Sequence, residues 1–224
     1  MMLSLFSMFD PSAIWFTQIN WVTMLTPSII LPVLYWKSLS RISFLFNFIM
    51  MKLNKEFIHL FNKTILMKGT TLIMVSLFLL IMINNMTSNY PYTFCCSAHL
   101  SFSLTLSLPI WVSIMLFMWK NLSKTMFSHL LPMSTPWILM PLMVIIELTS
   151  NIIRPLALSV RLSANLIAGH LLMSLLGDTL NFNSNIWIMV IMIQILFLTF
   201  ELMVALIQSY VFSVLMTLYS SEIS

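Results

Sequence analysis

The chain has 224 residues, 60% of them hydrophobic and 7% charged, with a formal net charge of +4 and a mean hydropathy of +1.00. A soluble domain carries about 25% charged residues, so this composition excludes a water-soluble globular protein and points to an all-α integral membrane protein forming a single membrane domain, 1–224. The basic residues sit in segments between apolar runs, an arrangement that does not suggest nucleic acid as a partner.

Met1–Gln18 contains no basic residue, and no cleavable signal or transit peptide is expected. The first apolar run, 20–36, is interrupted by Pro27 and Pro32 and flanked by Trp21, Tyr35 and Trp36, the aromatic anchors of a short membrane span. The most charged part of the chain follows, Lys37–Lys68. Within it Phe48, Met51, Lys55, Ile58 and Asn62 recur at helical spacing, so 44–65 reads as an amphipathic helix on the membrane surface, with a plain solvated loop as the alternative. The second and third spans are 69–86 and 98–118, the third containing Pro109. Asn84–Cys96 joins them without a basic residue, and Cys95 and Cys96 read as free thiols near the interface, since adjacent cysteines rarely bridge. Met126–Pro136, with two prolines, is a breaker before the long apolar stretches.

The run 137–176 is 40 residues long, and its only ionisable groups are Glu147, Arg154, Arg161 and His170. As one helix it would measure about 60 Å, twice the hydrocarbon thickness of about 30 Å. It must tilt steeply, kink at Pro141 or Pro155, or split. The run 186–219 would measure about 51 Å, with Glu201 its only charge. Residues seven apart return to nearly the same helix face, so Glu147, Arg154 and Arg161 form one stripe, and Gln194, Glu201 and Gln208 another. Asn165 and Gly169 fall on the side of Arg161, and His170 points the opposite way. Splitting either run would strand part of its stripe in lipid. The two therefore read as a long, steeply tilted antiparallel hairpin closed by the polar turn Asp178–Asn185. A turn centred between Ser184 and Asn185 sets Arg161 opposite Gln208 and Ala168 opposite Glu201, with His170 within a turn of Glu201; one centred on Asn181 sets Arg161 opposite Glu201.

An arginine at the middle of a membrane helix costs about 2.5–3.5 kcal/mol on insertion scales and does not escape by losing its proton. Arg154, beside Pro155, fits a snorkelling or helix-fastening role. Arg161 has apolar sequence on both sides and no helix end to reach, so its charge is read as functional. His170, Glu147 and Glu201 are groups that can pass protons. No nucleophile–base set, phosphate loop or metal-ligand spacing is present: the reading includes no catalytic residue, no metal and no cofactor. Four histidines in separate segments do not supply haem or copper ligation, and scattered methionines read as core filling. A proton-coupled secondary carrier would show paired halves with broken, Gly-rich helices, whereas this chain has three glycines and no internal repeat. A structural membrane scaffold leaves Arg161 and Glu201 unexplained.

The segments SVRLSANLIAGHLLMSLLG and FELMVALIQSYVFSVLMTLYSSE resemble the family of F-type ATP synthase a subunits in its animal mitochondrial form, and LFSMFDPSAI and NIIRP are similar to arthropod members. NNMTSNYPYTF departs from the family's glycine-containing loop, and RPLALSV lacks a glycine often found after RP. The resemblance covers nearly the whole chain and favours the first hairpin register. It implies a proton-conducting stator subunit of the membrane sector, mitochondrially encoded and multi-pass in the mitochondrial inner membrane. Its partners would be the c-ring, the peripheral-stalk b subunit, small membrane subunits of the same complex, and lipid. It implies that Arg161 faces the ring carboxylates, that His170 and Glu201 line the intermembrane-space half-channel and Glu147 the matrix one, and that Asn165 and Gln208 are amides near the arginine. Eight of the ten Lys and Arg lie in Lys37–Lys68 or at Lys120 and Lys124. The positive-inside rule then places both segments in the matrix, giving five crossings with the N-terminus outside and the C-terminus in the matrix.

Overall fold

Long apolar runs with few glycines dominate the chain, and they fold as helices whose small and polar residues turn inward. The computed structural model describes residues 6–12, 18–30, 41–61, 69–90, 93–121, 123–131, 136–179 and 187–221, and there is no strand among them. The helices are α1 (Thr26–Ile30), α2 (Arg41–Phe61), α3 (Thr70–Ser88), α4 (Leu100–Asn121), α5 (Ser123–His129), α6 (Met140–Asp178) and α7 (Trp187–Ser221). Four helical stretches are long and apolar enough to cross a membrane: Thr70–Ser88, Leu100–Asn121, Trp137–Asp178 and Trp187–Ser221.

The expected first span is described only in part. Ile19–Leu25 is a 3-10 helix running into the five-residue α1, and 31–36 lie outside the described residues, as do 62–65 of the expected surface helix, 132–135 of the breaker and most of the turn between the long helices. α2 is amphipathic. Phe57 and Phe61 are buried in the common core, while Phe44, Leu45, Phe48 and Ile49 are exposed, an apolar surface suited to the headgroup boundary. Lys52 lies over the Phe48 ring one turn back, 4.6 Å from its centroid. Gly69 precedes α3 with φ 93°, a left-handed conformation that costs an L side chain about 1–2 kcal/mol.

α3 continues to Ser88, two residues past the expected span, and takes Asn84 and Asn85 into its last turns. The hydroxyls there bond back to carbonyls of the preceding turn. Thr87 Oγ1 donates to the carbonyls of Ile83 (3.0 Å) and Asn84 (3.1 Å), and Ser88 Oγ to that of Asn85 (2.8 Å). The segment after it does not lie open at an interface. Cys95 and Cys96 are both free and buried, beside a cluster in which Trp21 and Phe94 each lie 5.2 Å from the His99 ring. Burial pushes both thiols up, Cys96 to about 11, so they are poor reporters of which side this loop faces.

α6 and α7 are each uninterrupted, 39 and 35 residues long, and α6 runs straight through Pro155. Of the three outcomes open to the first long run, splitting is the one not found. α7 presents Ala205, Ser209, Ser213, Thr217 and Ser220 as a buried stripe. Each hydroxyl bonds a carbonyl three residues back, as in Ser209 to Leu206 (2.7 Å) and Thr217 to Val214 (2.7 Å). Small, self-satisfied residues let helix backbones approach closely where lipid supplies no hydrophobic drive. α3 packs chiefly on α7 and α4 on α6. The shared core joins Phe57, Ile81, Leu158, Leu162, Phe212 and Met216.

Candidate functional site

The site is built along the facing sides of α6 and α7. Asn165 Nδ2 donates to Gln208 Oε1 at 3.1 Å. One turn further along α6, Gly169 stands against Glu201: a Cβ there would collide with Glu201 Oε1 and sit 2.9 Å from Cδ. At the other end, the Arg154 guanidinium lies over the Tyr219 ring, 5.1 Å from its centroid. These pairs make α6 and α7 antiparallel and choose between the two registers. Glu201 faces Gly169, one residue from Ala168, so the turn-after-Ser184 arrangement is the nearer. It is offset at Gln208, which bonds Asn165 rather than facing Arg161. One hydrogen bond joins the two amides across the helix pair, and the arginine one turn away is left clear.

Two cavities flank that arginine. The first, about 340 Å³, is lined by Asn85, Asn89, Asn165, Gly169, Glu201 and Gln208 among apolar neighbours. Glu201 Oε1 and Gln208 Nε2 are buried there with no hydrogen-bond partner among the described residues. The second, about 320 Å³, is lined by Glu147, Asn151, Arg154 and Tyr219 with Met118 and Met216. Pro155 lacks the N–H that the Asn151 carbonyl would accept in an unbroken helix, so the proline leaves a bare acceptor at the level of this second cavity. Arg161 lines neither. It is exposed, and among the described residues it makes no ion pair. Along α6 it stands about 6 Å from Asn165 and about 10.5 Å from Arg154.

The sequence-expected residues thus divide. Asn165, Gln208 and Glu201 come together around one cavity, Glu147 lies at the other, and Arg161 falls between. His170 is buried on the far side of α6, edge-on to Phe9 with centroids 6.3 Å apart, and is not part of the Glu201 cavity wall. Sequence reasoning missed Phe9, Asn85, Asn89 and Tyr219. Asn85 carried a signal that went unread: with Asn84 it forms two adjacent amides near the end of a run whose other polar residues are only Ser and Thr, where polar groups carry helix contacts. Phe9 and Tyr219 carried none, because an aromatic residue near a helix end looks the same whether or not it meets a functional partner. Among the described residues no group of three His, Cys, Asp or Glu could hold a metal ion.

Comparison with known proteins gives the arrangement its context. The family model described as ATP synthase A chain matches residues 5–221. The chain is 48% identical over 229 residues to ATP synthase subunit a of Drosophila melanogaster, 47% over 231 residues to that of Anopheles gambiae, and 44% over 225 residues to that of Locusta migratoria, each match covering 100% of both chains. By the extent of these matches, the chain belongs to the ATP synthase A chain family.

Proposed function

We propose that this chain is the proton-conducting stator subunit of the F-type ATP synthase membrane sector, with Arg161 as the charge that the rotating ring passes. Family membership makes it a membrane-sector component of that synthase, a part of the complex rather than an enzyme by itself. The observation that carries the finer reading is the exposed Arg161, without an ion pair among the described residues, placed along α6 between two separate cavities that each hold a carboxylate in a largely apolar wall. A permanent cation held at the surface of a membrane helix is costly, and an anionic partner outside the chain offsets that cost.

In this reading a proton reaches Glu201 through the Asn165–Gln208 cavity, open to the intermembrane space, and passes to a carboxylate on a small ring subunit. Neutralised, that carboxylate can face lipid. After nearly a full turn the ring brings it to the Glu147 cavity, where it loses the proton to the matrix side. Arg161 holds the arriving carboxylate ionised by proximity of opposite charge and repels protons that would cross directly. Each proton moving down 100 mV releases about 2.3 kcal/mol, which drives rotation. His170, with Nε2 buried and lacking a partner among the described residues, belongs to the inlet side behind the Phe9 ring. The five-crossing topology follows, with α6 and α7 tilted steeply in the mitochondrial inner membrane. The partners are the c-ring, the peripheral-stalk b subunit, small membrane subunits and lipid.

The test is purification of the complex from membranes in mild detergent, together with a cysteine placed at Ala164, which is exposed one turn from Arg161. The expected result is a copurifying ring of small two-helix subunits, with oxidation joining the new cysteine to a cysteine beside the ring carboxylate. A complex without such a ring, or a ring that joins only through other faces, overturns the reading.

A further inference from the structure

α3 and α4 follow one another in the chain, yet they hardly touch. α3 lies on α7 and α4 on α6, and both rest on the short Cys96–Ala98 turn between them. The pair is held together at that end and parted at the other. In the parted end lies a cavity of about 240 Å³, walled by Thr70 and Ile73 of α3, Pro109, Ile110 and Ser113 of α4, and Ser220 of α7. Ile73 and Ser113 are exposed, so the cavity opens on the surface of the helix bundle. Two of its hydroxyls are already engaged: Ser113 Oγ donates to the Ile110 carbonyl and Ser220 Oγ to that of Thr217, both at 2.7 Å. Such a wall offers water few partners and suits hydrocarbon. An apolar cavity of about 150 Å³ admits benzene, so this one admits a stretch of acyl chain. One turn of a helix with its side chains fills about 400 Å³, which is more than the gap holds.

The mouth of the gap decides which lipid. Lys120 follows Ser113 by seven residues, so it stands over the same face of α4, about 10.5 Å nearer the helix end. It is exposed, as is Lys124 beyond it, and among the described residues neither makes an ion pair. Trp119 beside it is 63% exposed, an aromatic side chain of the kind that sits at headgroup level. We propose that the α3–α4 gap binds one anionic phospholipid, its acyl chain seated against Ile73, Pro109 and Ile110 and its phosphate held by Lys120. The lipid fills the space between the helices that support α7 and α6. The site does not depend on the role given to Arg161.

The test uses the assembled complex, purified in mild detergent and reconstituted into phosphatidylcholine vesicles. The vesicles carry a trace of lipid with a photoactivatable acyl chain, either phosphatidylglycerol or phosphatidylcholine, and labelled peptides are read by mass spectrometry. The phosphatidylglycerol probe should label Ile73 and the Ile110–Ile114 segment about fivefold more than the zwitterionic probe, the advantage of one lysine near the surface. Lys120→Gln should remove that preference and leave some labelling by both probes. Ile110→Trp, which fills the gap with an indole, should abolish labelling there by both. Should the tryptophan variant fail to assemble, the Lys120→Gln comparison decides alone. Equal labelling of the parent by the two probes, or a preference unchanged in Lys120→Gln, makes the gap a crevice for bulk lipid and overturns the proposal. Absence of labelling in the parent, with the gap closed by another subunit, overturns it as well.

Discussion

Two cavities of nearly equal size lie along the α6–α7 pair, about 340 Å³ around Glu201 and about 320 Å³ around Glu147 and Arg154. They differ in charge. The first surrounds a single carboxyl with neutral amides from three helices. The second has both a carboxyl and a guanidinium in its wall, the guanidinium lying over the Tyr219 ring. A carboxyl among amides can take a proton from water and pass it on. A fixed cation in the same small space repels a proton standing there, with an energy that grows as the local dielectric falls. Under the proposed function the first cavity suits loading and the second suits release. Arg161, in neither, separates them.

The largest effect should come from removing that separator. Arg161→Gln is expected to bring proton-driven ATP synthesis to near zero while the complex still assembles, because the residue is exposed and its loss opens no void. Passive proton leak across membranes carrying the variant should rise, since a neutral amide neither repels protons nor favours the ionised ring carboxylate. Arg161→Lys should fail too, as an ammonium is a compact charge that can deprotonate when desolvated. Near-normal synthesis in Arg161→Gln would erase the distinction between the cavities.

A smaller but clear loss is expected at Glu201. Glu201→Gln should slow synthesis at equal complex content, because the amide hydrogen-bonds in the same place and cannot carry the proton. Normal rates would mean that Glu201 only fastens helices. Gly169 gives a subtler handle on the same carboxyl. In Gly169→Ala the new methyl occupies the position of Glu201 Oε1, so the side chain must swing away. Alanine is the better helix former by about 1 kcal/mol, so assembly should survive. The expected result is a partial loss of proton flow, recovered in part when Glu201→Asp withdraws the carboxyl by one methylene. A double variant slower than both singles would deny that the two residues share a contact that matters.

Much of this contrast was legible in the sequence, because charge in an apolar helix is conspicuous and helical geometry fixes its spacing. The seven-residue stripes, the two long helices and the near register of the hairpin follow from residue type and the 3.6-residue turn. What escaped was set by packing between segments far apart in the chain. Asn84 and Asn85 looked like the start of a loop, and only the back-bonds of Thr87 and Ser88 and the fit of α3 against α7 draw them inside. Cys95 and Cys96 read as free thiols near the interface, and they are free but buried, next in sequence to the ring cluster of Trp21, Phe94 and His99. His170 was expected within a turn of Glu201 and facing away from Arg161, and its neighbour Gly169 does stand against Glu201; what escaped is the partner of its 8%-exposed ring, Phe9, in a segment more than 150 residues earlier that no local pattern encodes.

The smallest effect should come at Arg154, which makes it the sharpest control. It shares the stripe, spacing and charge of Arg161, so any explanation based on those alone predicts equal damage. It differs in surroundings: its guanidinium stacks on Tyr219 and shares a cavity with Glu147 and Asn151. Such a stacking contact is worth about 0.5–1 kcal/mol, and a glutamine in its place still reaches the cavity's polar wall. Arg154→Gln is therefore expected to leave synthesis within about twofold of the parent, with a stability loss of about 1 kcal/mol, and Tyr219→Leu should do about the same. Proton leak should not rise, because Arg161 still stands between the cavities. The measurement is synthesis rate and leak for the Arg154 and Arg161 variants side by side at equal complex content. If Arg154→Gln abolishes coupling and Arg161→Gln does not, the separating charge belongs to the second cavity and the roles assigned to the two arginines are reversed.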